Sequence, residues 1–320
     1  MKASYLQRAY AKLIRNPSVR AYVKLQGGKL SPQDVITITG SPRSGTTWLS
    51  SMFSAPRGVT VINEPLSLRK QGIKELGFSW RTFILPGEER YDIKKYFDML
   101  FSGRIANGYN TKDTPFIEIF GTKVWSVKFI RANRLLPWIV ENFQLRRKPL
   151  LVIRHPCGVV YSQMKHPLFS PLKRVGAYDQ ELIEKHFPQF KPLLKVRTEE
   201  EIRALTWALD NFVPLHYWSP EKWMLLSYEE LVLDSRRVLE RVYSEWGQEL
   251  PPEALSRARK RSREAKEWSQ FDDKGVKKLG VWREYLSKRQ IHAILDIAHQ
   301  VGLEFSEDIE PDYGKLYSRH

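Results

Sequence analysis

Eight consecutive residues, Gly40-Ser41-Pro42-Arg43-Ser44-Gly45-Thr46-Thr47, have the spacing of a loop that cradles a phosphate: G-x-x-x-x-G, a position usually filled by lysine, then a hydroxyl. Between a buried strand and a helix start, such a loop turns its backbone N–H groups toward an oxyanion, and Thr46 and Thr47 add hydroxyl donors. Thr46 stands where a nucleoside triphosphatase has the lysine that reaches the β- and γ-phosphates. Triphosphate chemistry is therefore disfavoured. Positive charge comes instead from Arg43 inside the loop, whose planar guanidinium can grip an oxyanion through two hydrogen bonds. The expected ligand end is a 5′-phosphate or phosphosulfate. A Gly/Ser turn that binds nothing is the bland alternative, and the order strand, loop, helix argues against it.

A second run, Leu150-Leu151-Val152-Ile153-Arg154-His155-Pro156-Cys157-Gly158-Val159-Val160-Tyr161-Ser162, also reads as strand, turn and helix. An arginine at the C-terminal end of a strand is well placed for a ligand in the crevice of an open sheet. Together the two runs resemble the sulfotransferases that use 3′-phosphoadenosine 5′-phosphosulfate (PAPS). Arg43-Ser44-Gly45-Thr46-Thr47-Trp48 matches their [KR]-S-G-T-T-W signature at every position, and Arg154, Pro156, Val159 and Ser162 match R-x-P-x-x-V-x-x-S. The resemblance implies that residues Arg43 to Thr47 hold the 5′-phosphosulfate, that Trp48 stacks on adenine, and that Arg154 and Ser162 bind the 3′-phosphate. His155 and Gly158 depart from the usual acidic or amide residues there. Further along, Tyr228-Glu229-Glu230-Leu231 resembles the family's Y-E-[DE]-L segment near the adenine. Lys274, Gly275, Lys277 and Lys278, before Gly280-Val281-Trp282, resemble its basic loop over the 3′-phosphate, with a spacing that leaves open which lysine touches it.

Sulfuryl transfer asks a protein mainly to align donor and acceptor and to neutralise charge on the moving and leaving groups. Arg43 and the loop amides suit the leaving phosphate, and by resemblance Lys128 contacts the sulfuryl group; the alternative is a lysine capping its strand at the surface. Relatives that sulfate phenols and steroids carry a histidine base two residues after that lysine. Here that position is Ile130, and no histidine occurs between Leu49 and Ile153. Glu64, in Asn63-Glu64-Pro65, resembles the E-P segment of carbohydrate sulfotransferases and is the candidate base. Its alternative role is a structural ion pair with Arg43 or Arg154, and His155 is a fallback base. The expected enzyme is a PAPS-dependent sulfotransferase closer to carbohydrate-type and bacterial members, releasing 3′,5′-adenosine diphosphate, acting on a carbohydrate or glycolipid hydroxyl and needing no metal.

The balance of 52 Lys plus Arg against 36 Asp plus Glu gives a net charge of +16, and the pI is near 9.7. Such a chain favours polyanions, anionic membrane surfaces or phosphorylated ligands. A P-loop kinase would need lysine at position 46, and a nucleic-acid-binding protein would be supported by charge alone, with no matching motif. The lone Cys157 excludes an intramolecular disulfide and suits a reducing compartment, and no Cys/His run has zinc spacing. No stretch approaches the roughly 20 apolar residues of a membrane span, and the N-terminus lacks a secretory signal's apolar core. A cytoplasmic protein is expected. Residues 1–30 pattern as a basic amphipathic helix, with Tyr5, Leu6, Ala9, Leu13 and Ile14 on one face, able to pack on its own domain or touch an anionic membrane.

The elements that must position these residues are short apolar runs at 35–39, 59–62, 124–129, 150–153 and 223–226, read as buried parallel strands. Strands alternating with helical patterns predict an α/β, P-loop-like three-layer fold, a central parallel sheet flanked by helices. The clearest helix spans 199–217, with Ile202, Leu205, Leu209, Phe212 and Val213 as its apolar stripe. The expected organisation is one sulfotransferase domain over 31–305, an acceptor-side insertion at 66–115 without a clean strand pattern, and a tail at 306–320.

Overall fold

The computed structural model describes residues 30–69, 72–107, 110–259 and 279–309. Five strands, β1 (Ile36–Gly40), β2 (Val59–Asn63), β3 (Val124–Lys128), β4 (Leu150–Ile153) and β5 (Met224–Ser227), form one sheet in the order β2-β3-β1-β4-β5, every pair parallel. Between and after them lie the α-helices α1 (Thr46–Phe53), α2 (Tyr91–Phe101), α3 (Phe116–Ile119), α4 (Leu136–Asn142), α5 (Pro156–Lys165), α6 (Ala177–His186), α7 (Glu199–His216), α8 (Tyr228–Leu233), α9 (Ser235–Glu245), α10 (Pro252–Ala258), α11 (Trp282–Tyr285) and α12 (Lys288–Gln300).

The period of two along each strand builds the three layers. In β4, Leu150 and Val152 enter one apolar cluster with α1, α9 and α10, while Leu151 and Ile153 enter another with α5, α7 and α12. A third cluster joins Ile62 and Val127 to Phe97 and Phe101 of α2 and to Trp138. Both faces of the sheet are thus covered, as its continuous apolar strands require. The chain leaves β1 toward one edge and β4 toward the other, so the crevice beyond their C-terminal ends lies at a topological switch point.

Each expected strand is present, with four shifted by a residue in their bounds, β2 running on to Asn63. Val35 is buried but precedes β1, because Pro32–Asp34 close a short 3-10 turn just before it. Trp223 is buried ahead of β5, and Phe129 follows β3 although its N–H still donates to the Ile38 carbonyl at 2.8 Å. Apolar patterning reports burial, whereas strand limits follow the hydrogen-bond ladder. Helix α7 opens on a Thr198–Glu201 capping box and closes at His216, one residue short of the expected end. The insertion holds α2, whose Ile93, Phe97, Leu100 and Phe101 line one helical face. Ordered packing also continues past 305, since the Ser306 carbonyl lies 2.9 Å from His155 Nε2. The amphipathic pattern of the first 29 residues and Lys274, Lys277 and Lys278 lie outside the described residues. Among the described residues, no helix is long and apolar enough to cross a membrane.

One buried ion network ties the layers together. Arg134 donates to Asp210 of α7 at 2.9 Å and to Asp179 of α6 at 2.5 Å, and Arg81 of the insertion reaches the other Asp210 oxygen at 2.8 Å. Burial works against the Arg134 charge, but Asp179 and Asp210 outweigh it and raise the guanidinium's pKa, so the ion stays charged inside the protein. Replacing Arg134 with Met would leave the buried Asp179 without its cation and Asp210 with Arg81 alone. The expected loss is about 3–5 kcal/mol of folding stability, read as a lower midpoint in urea denaturation; a change below about 1 kcal/mol would show that the network contributes little.

Candidate active site

Strand β1 ends at Gly40, and the chain turns through Arg43, whose φ is 76°, and Gly45, whose φ is 93°. Gly45 is required twice over: its backbone is left-handed, and an added Cβ would lie 2.4 Å from the Tyr228 ring. Helix α1 begins directly after it at Thr46. Its first intrahelical bond runs from Leu49 N–H to the Gly45 carbonyl at 3.0 Å, leaving the N–H groups of Thr46 and Thr47 without helical acceptors. Inside the loop, Ser44 Oγ is buried and has no hydrogen-bond partner. The loop therefore gathers unsatisfied donors at a helix N-terminus, as an anion site requires.

The second motif closes against the first. Arg154, leaving β4, donates from Nη1 to the Arg43 carbonyl at 3.0 Å, and its guanidinium lies 4.4 Å from the Tyr228 ring centre. Arg43 Nε donates to Ser162 Oγ of α5 at 2.9 Å. Trp48 stands edge-on to Tyr228 with ring centres 6.1 Å apart. Gly158 makes room for this arrangement, because a Cβ there would sit 3.1 Å from Arg154 Nε.

The ring of His155, the fallback base, is engaged in structural contacts. Its Nδ1 accepts the Cys157 N–H at 3.2 Å, capping α5, and its Nε2 therefore carries the proton donated to the Ser306 carbonyl. The ring stacks on Trp282 at 4.8 Å, is absent from the cavity wall, and is held neutral by burial, which lowers its pKa to about 4.

At the ends of β2 and β3, Lys128 Nζ lies 3.2 Å from Thr47 Oγ1 and 3.0 Å from Glu64 Oε1. The Lys128 side chain is 8% exposed, so it is no surface cap of its strand. Glu64, at a φ of 48°, turns its second oxygen to Arg131 Nη1 at 3.2 Å. Its ion-pair partners are thus Lys128 and Arg131, not Arg43 or Arg154. Arg131 lies over the Trp80 ring at 4.3 Å. Sequence reasoning missed Arg131, which sits next to Ile130 where a histidine was sought, and Trp80, whose insertion carries no motif.

Most of these groups border one cavity of about 970 Å³; His155, Ser44 and Gly158 are not in its wall. Arg43, Thr46, Thr47, Trp48, Arg154, Ser162 and Tyr228 line one part; Asn63, Glu64, Ser67, Arg69, Trp80, Arg81 and Arg131 line another, with Lys128 also in its wall. The model of the family described as "Sulfotransferase domain" matches residues 32–301 of this chain. The chain belongs to the sulfotransferase domain family. Solved structures similar to this sulfotransferase include the sulfotransferase domain from the curacin biosynthetic pathway, 18% identical with a TM-score of 0.48, covering 85% of this chain and 98% of that one. The sulfotransferase domain of the Synechococcus PCC 7002 olefin synthase is 16% identical, with a TM-score of 0.45 and coverage of 87% and 97%. Mouse sulfotransferase SULT7A1, complexed with PAP, is 14% identical, with a TM-score of 0.44 and coverage of 87% of both chains. No curated protein matches this sulfotransferase.

The neutral, capping His155 makes stability depend on pH. Its pKa is about 4 when folded against an ordinary 6.5, so between those values the unfolded chain binds a proton that the native state excludes. The stabilisation is complete above pH 6.5 and is lost as pH falls toward 4, by about 3 kcal/mol. His155→Asn keeps a capping side chain and removes the titration. Urea denaturation between pH 6.5 and 4 should therefore show a shallower loss of stability in this variant; an unchanged slope would mean that His155 is not protonated on unfolding.

Proposed function

We propose that this sulfotransferase moves a sulfuryl group from PAPS to an acceptor hydroxyl of a carbohydrate or glycolipid, with Glu64 as general base. The observation that carries the reading is Lys128, one ammonium in contact with both the phosphate-loop hydroxyl of Thr47 and the carboxylate of Glu64. That contact brings a donor end and a base to the two sides of a single cation.

The residues present fit the donor. The unpartnered Ser44 Oγ and the N–H groups of Thr46 and Thr47 at the start of α1 suit the 5′-phosphosulfate. Arg154 and Ser162 would hold the 3′-phosphate, and Trp48 and Tyr228 would flank the adenine, Tyr228 also carrying the Arg154 guanidinium on its face. PAPS, when bound, supplies the sulfuryl group, whose bond to the 5′-phosphate oxygen breaks as the acceptor oxygen bonds to sulfur. Arg43 and the loop N–H groups offset charge on the leaving phosphate, and Lys128 offsets charge on the sulfuryl oxygens. Glu64 takes the acceptor's proton; its ion pairs with Lys128 and Arg131 fix where that carboxylate stands. The Trp80 and Tyr178 rings, with Asn63, Ser67 and Thr206, line the cavity with the mixture of flat apolar faces and hydrogen-bonding groups that a sugar ring takes.

Calorimetry without added Mg²⁺ tests the donor. We expect 3′,5′-adenosine diphosphate to bind at micromolar or tighter affinity and ATP and 5′-AMP to bind more weakly; preference for ATP would overturn the assignment. Arg154→Ala should weaken the bisphosphate by at least about tenfold while leaving 5′-AMP nearly unchanged. Glu64→Gln should keep near-normal bisphosphate affinity and lose roughly 10²–10⁴-fold in turnover; full activity in that variant would remove Glu64 as the base.

A further inference from the structure

The cavity wall of this protein contains more positive charge than the proposed donor accounts for. Among the described residues, nine arginines and lysines line it against one acid, Glu64. The donor reading uses Arg43, Lys128 and Arg154. Two more are neutralised from behind, Arg81 by Asp210 at 2.8 Å and Arg203 by Glu199 at 2.7 Å. Glu64 divides its charge between Lys128 and Arg131. Arg69 is exposed, and no ion pair to it is seen among the described residues.

These charges converge on Arg131. Burial lowers its pKa, Glu64 raises it, and Arg81 and Arg69 lower it further, with a net decrease. An arginine does not relieve such repulsion by losing its proton, so relief must come from a counter-anion. Arg131 is built to take one. Only Nη1 is engaged by Glu64, the side chain keeps 15% of its surface exposed at the cavity wall, and Trp80 beneath the guanidinium holds the plane fixed. A planar fork held in that way binds carboxylate, sulfate or phosphate in preference to a neutral hydroxyl.

We propose that the acceptor carries an anionic group, a carboxylate, sulfate or phosphate, which Arg69 and Arg131 bind beside Trp80, next to the hydroxyl that Glu64 deprotonates. The inference rests on the reading that Glu64 marks the acceptor side of the cavity. Because Glu64 Oε2 and Arg131 Nη1 are 3.2 Å apart, the hydroxyl and the anion belong to one small unit, such as a single acidic or already esterified sugar. An uncharged acceptor would leave the Arg69 charge uncompensated.

The test uses the full chain saturated with 3′,5′-adenosine diphosphate, which occupies the proposed donor phosphates, and titrates inorganic sulfate as the probe. Saturable binding is expected, followed by calorimetry or by tryptophan fluorescence from Trp80. Arg69→Gln and Arg131→Gln should each weaken it by about tenfold or more, while Arg236→Gln on the exposed face of α9 should not. With matched acceptors, methyl glucuronide should be sulfated in preference to methyl glucoside, and Arg69→Gln should raise KM for the acid with little change in kcat. Absence of sulfate binding, or equal binding by the Arg69 and Arg131 variants, would overturn the proposal. Failure of the bisphosphate itself to bind would overturn the donor reading instead; sulfate titrated into the free protein would then still decide the anion site by its dependence on Arg69.

Discussion

A lysine ammonium taken out of water must be given opposite charge and hydrogen-bond acceptors, and the site is organised around that requirement at Lys128. Its partners are the Thr47 hydroxyl and the Glu64 carboxylate, contributed by two different strand ends. The sheet sets this contact before any side chain does. Parallel pairing puts Asn63 of β2 opposite Lys128 of β3, and the Glu64 N–H donates to the Lys128 carbonyl at 3.0 Å. A register slip of one residue would turn Lys128 to the other face and separate the pair. Glu64 holds a left-handed backbone at some cost, of order 1–3 kcal/mol, that the local bonds must offset. Strain of this kind is expected where a carboxylate has to be aimed.

The phosphate loop applies the same logic without an ammonium. With threonine in place of the lysine of a nucleoside triphosphatase, the loop depends on backbone N–H groups and on Arg43, and Arg43 is itself steered by Ser162. The Arg43 carbonyl in turn accepts from Arg154, so the two motifs form one hydrogen-bonded unit across the β1–β4 crevice. Tyr228 completes it by contacting both the Gly45 turn and the Arg154 guanidinium. Residues from three strand ends are fixed relative to one another by contacts that a parallel sheet makes short.

Much of this was legible in the sequence, for a physical reason. The phosphate loop, the arginine after β4 and the five strands are local features: spacing of glycines, turn residues and apolar runs that the backbone reads within a few residues. The strand limits moved by one residue because burial and hydrogen bonding do not stop at the same atom, as Val35 and Trp223 illustrate. What the sequence left open was pairing between distant residues. Glu64 stood out as an acid after a strand, but its partners Lys128 and Arg131 lie more than sixty residues away. His155 showed the converse, a titratable residue beside a motif whose ring turns to cap a helix and stack on Trp282. Helix α2 carried a readable stripe of Ile93, Phe97, Leu100 and Phe101, obscured by the glycines and prolines around it.

The insertion and the sheet are not independent parts of the site. Arg81 and Trp80 are neighbours in the insertion. Arg81 is tied to Asp210 of α7, which also holds Arg134, while Trp80 carries the guanidinium of Arg131. Arg131 follows β3 by three residues and bonds the same Glu64 that Lys128 holds. A chain of ionic and stacking contacts therefore runs from the buried Asp210 through the insertion to the carboxylate at the centre of the cavity. Such a chain fixes the distance between the insertion's wall of the cavity and the loop that follows β1. In-line transfer depends on that distance, because misplacing the acceptor by an ångström sacrifices much of the advantage of holding the two reactants together.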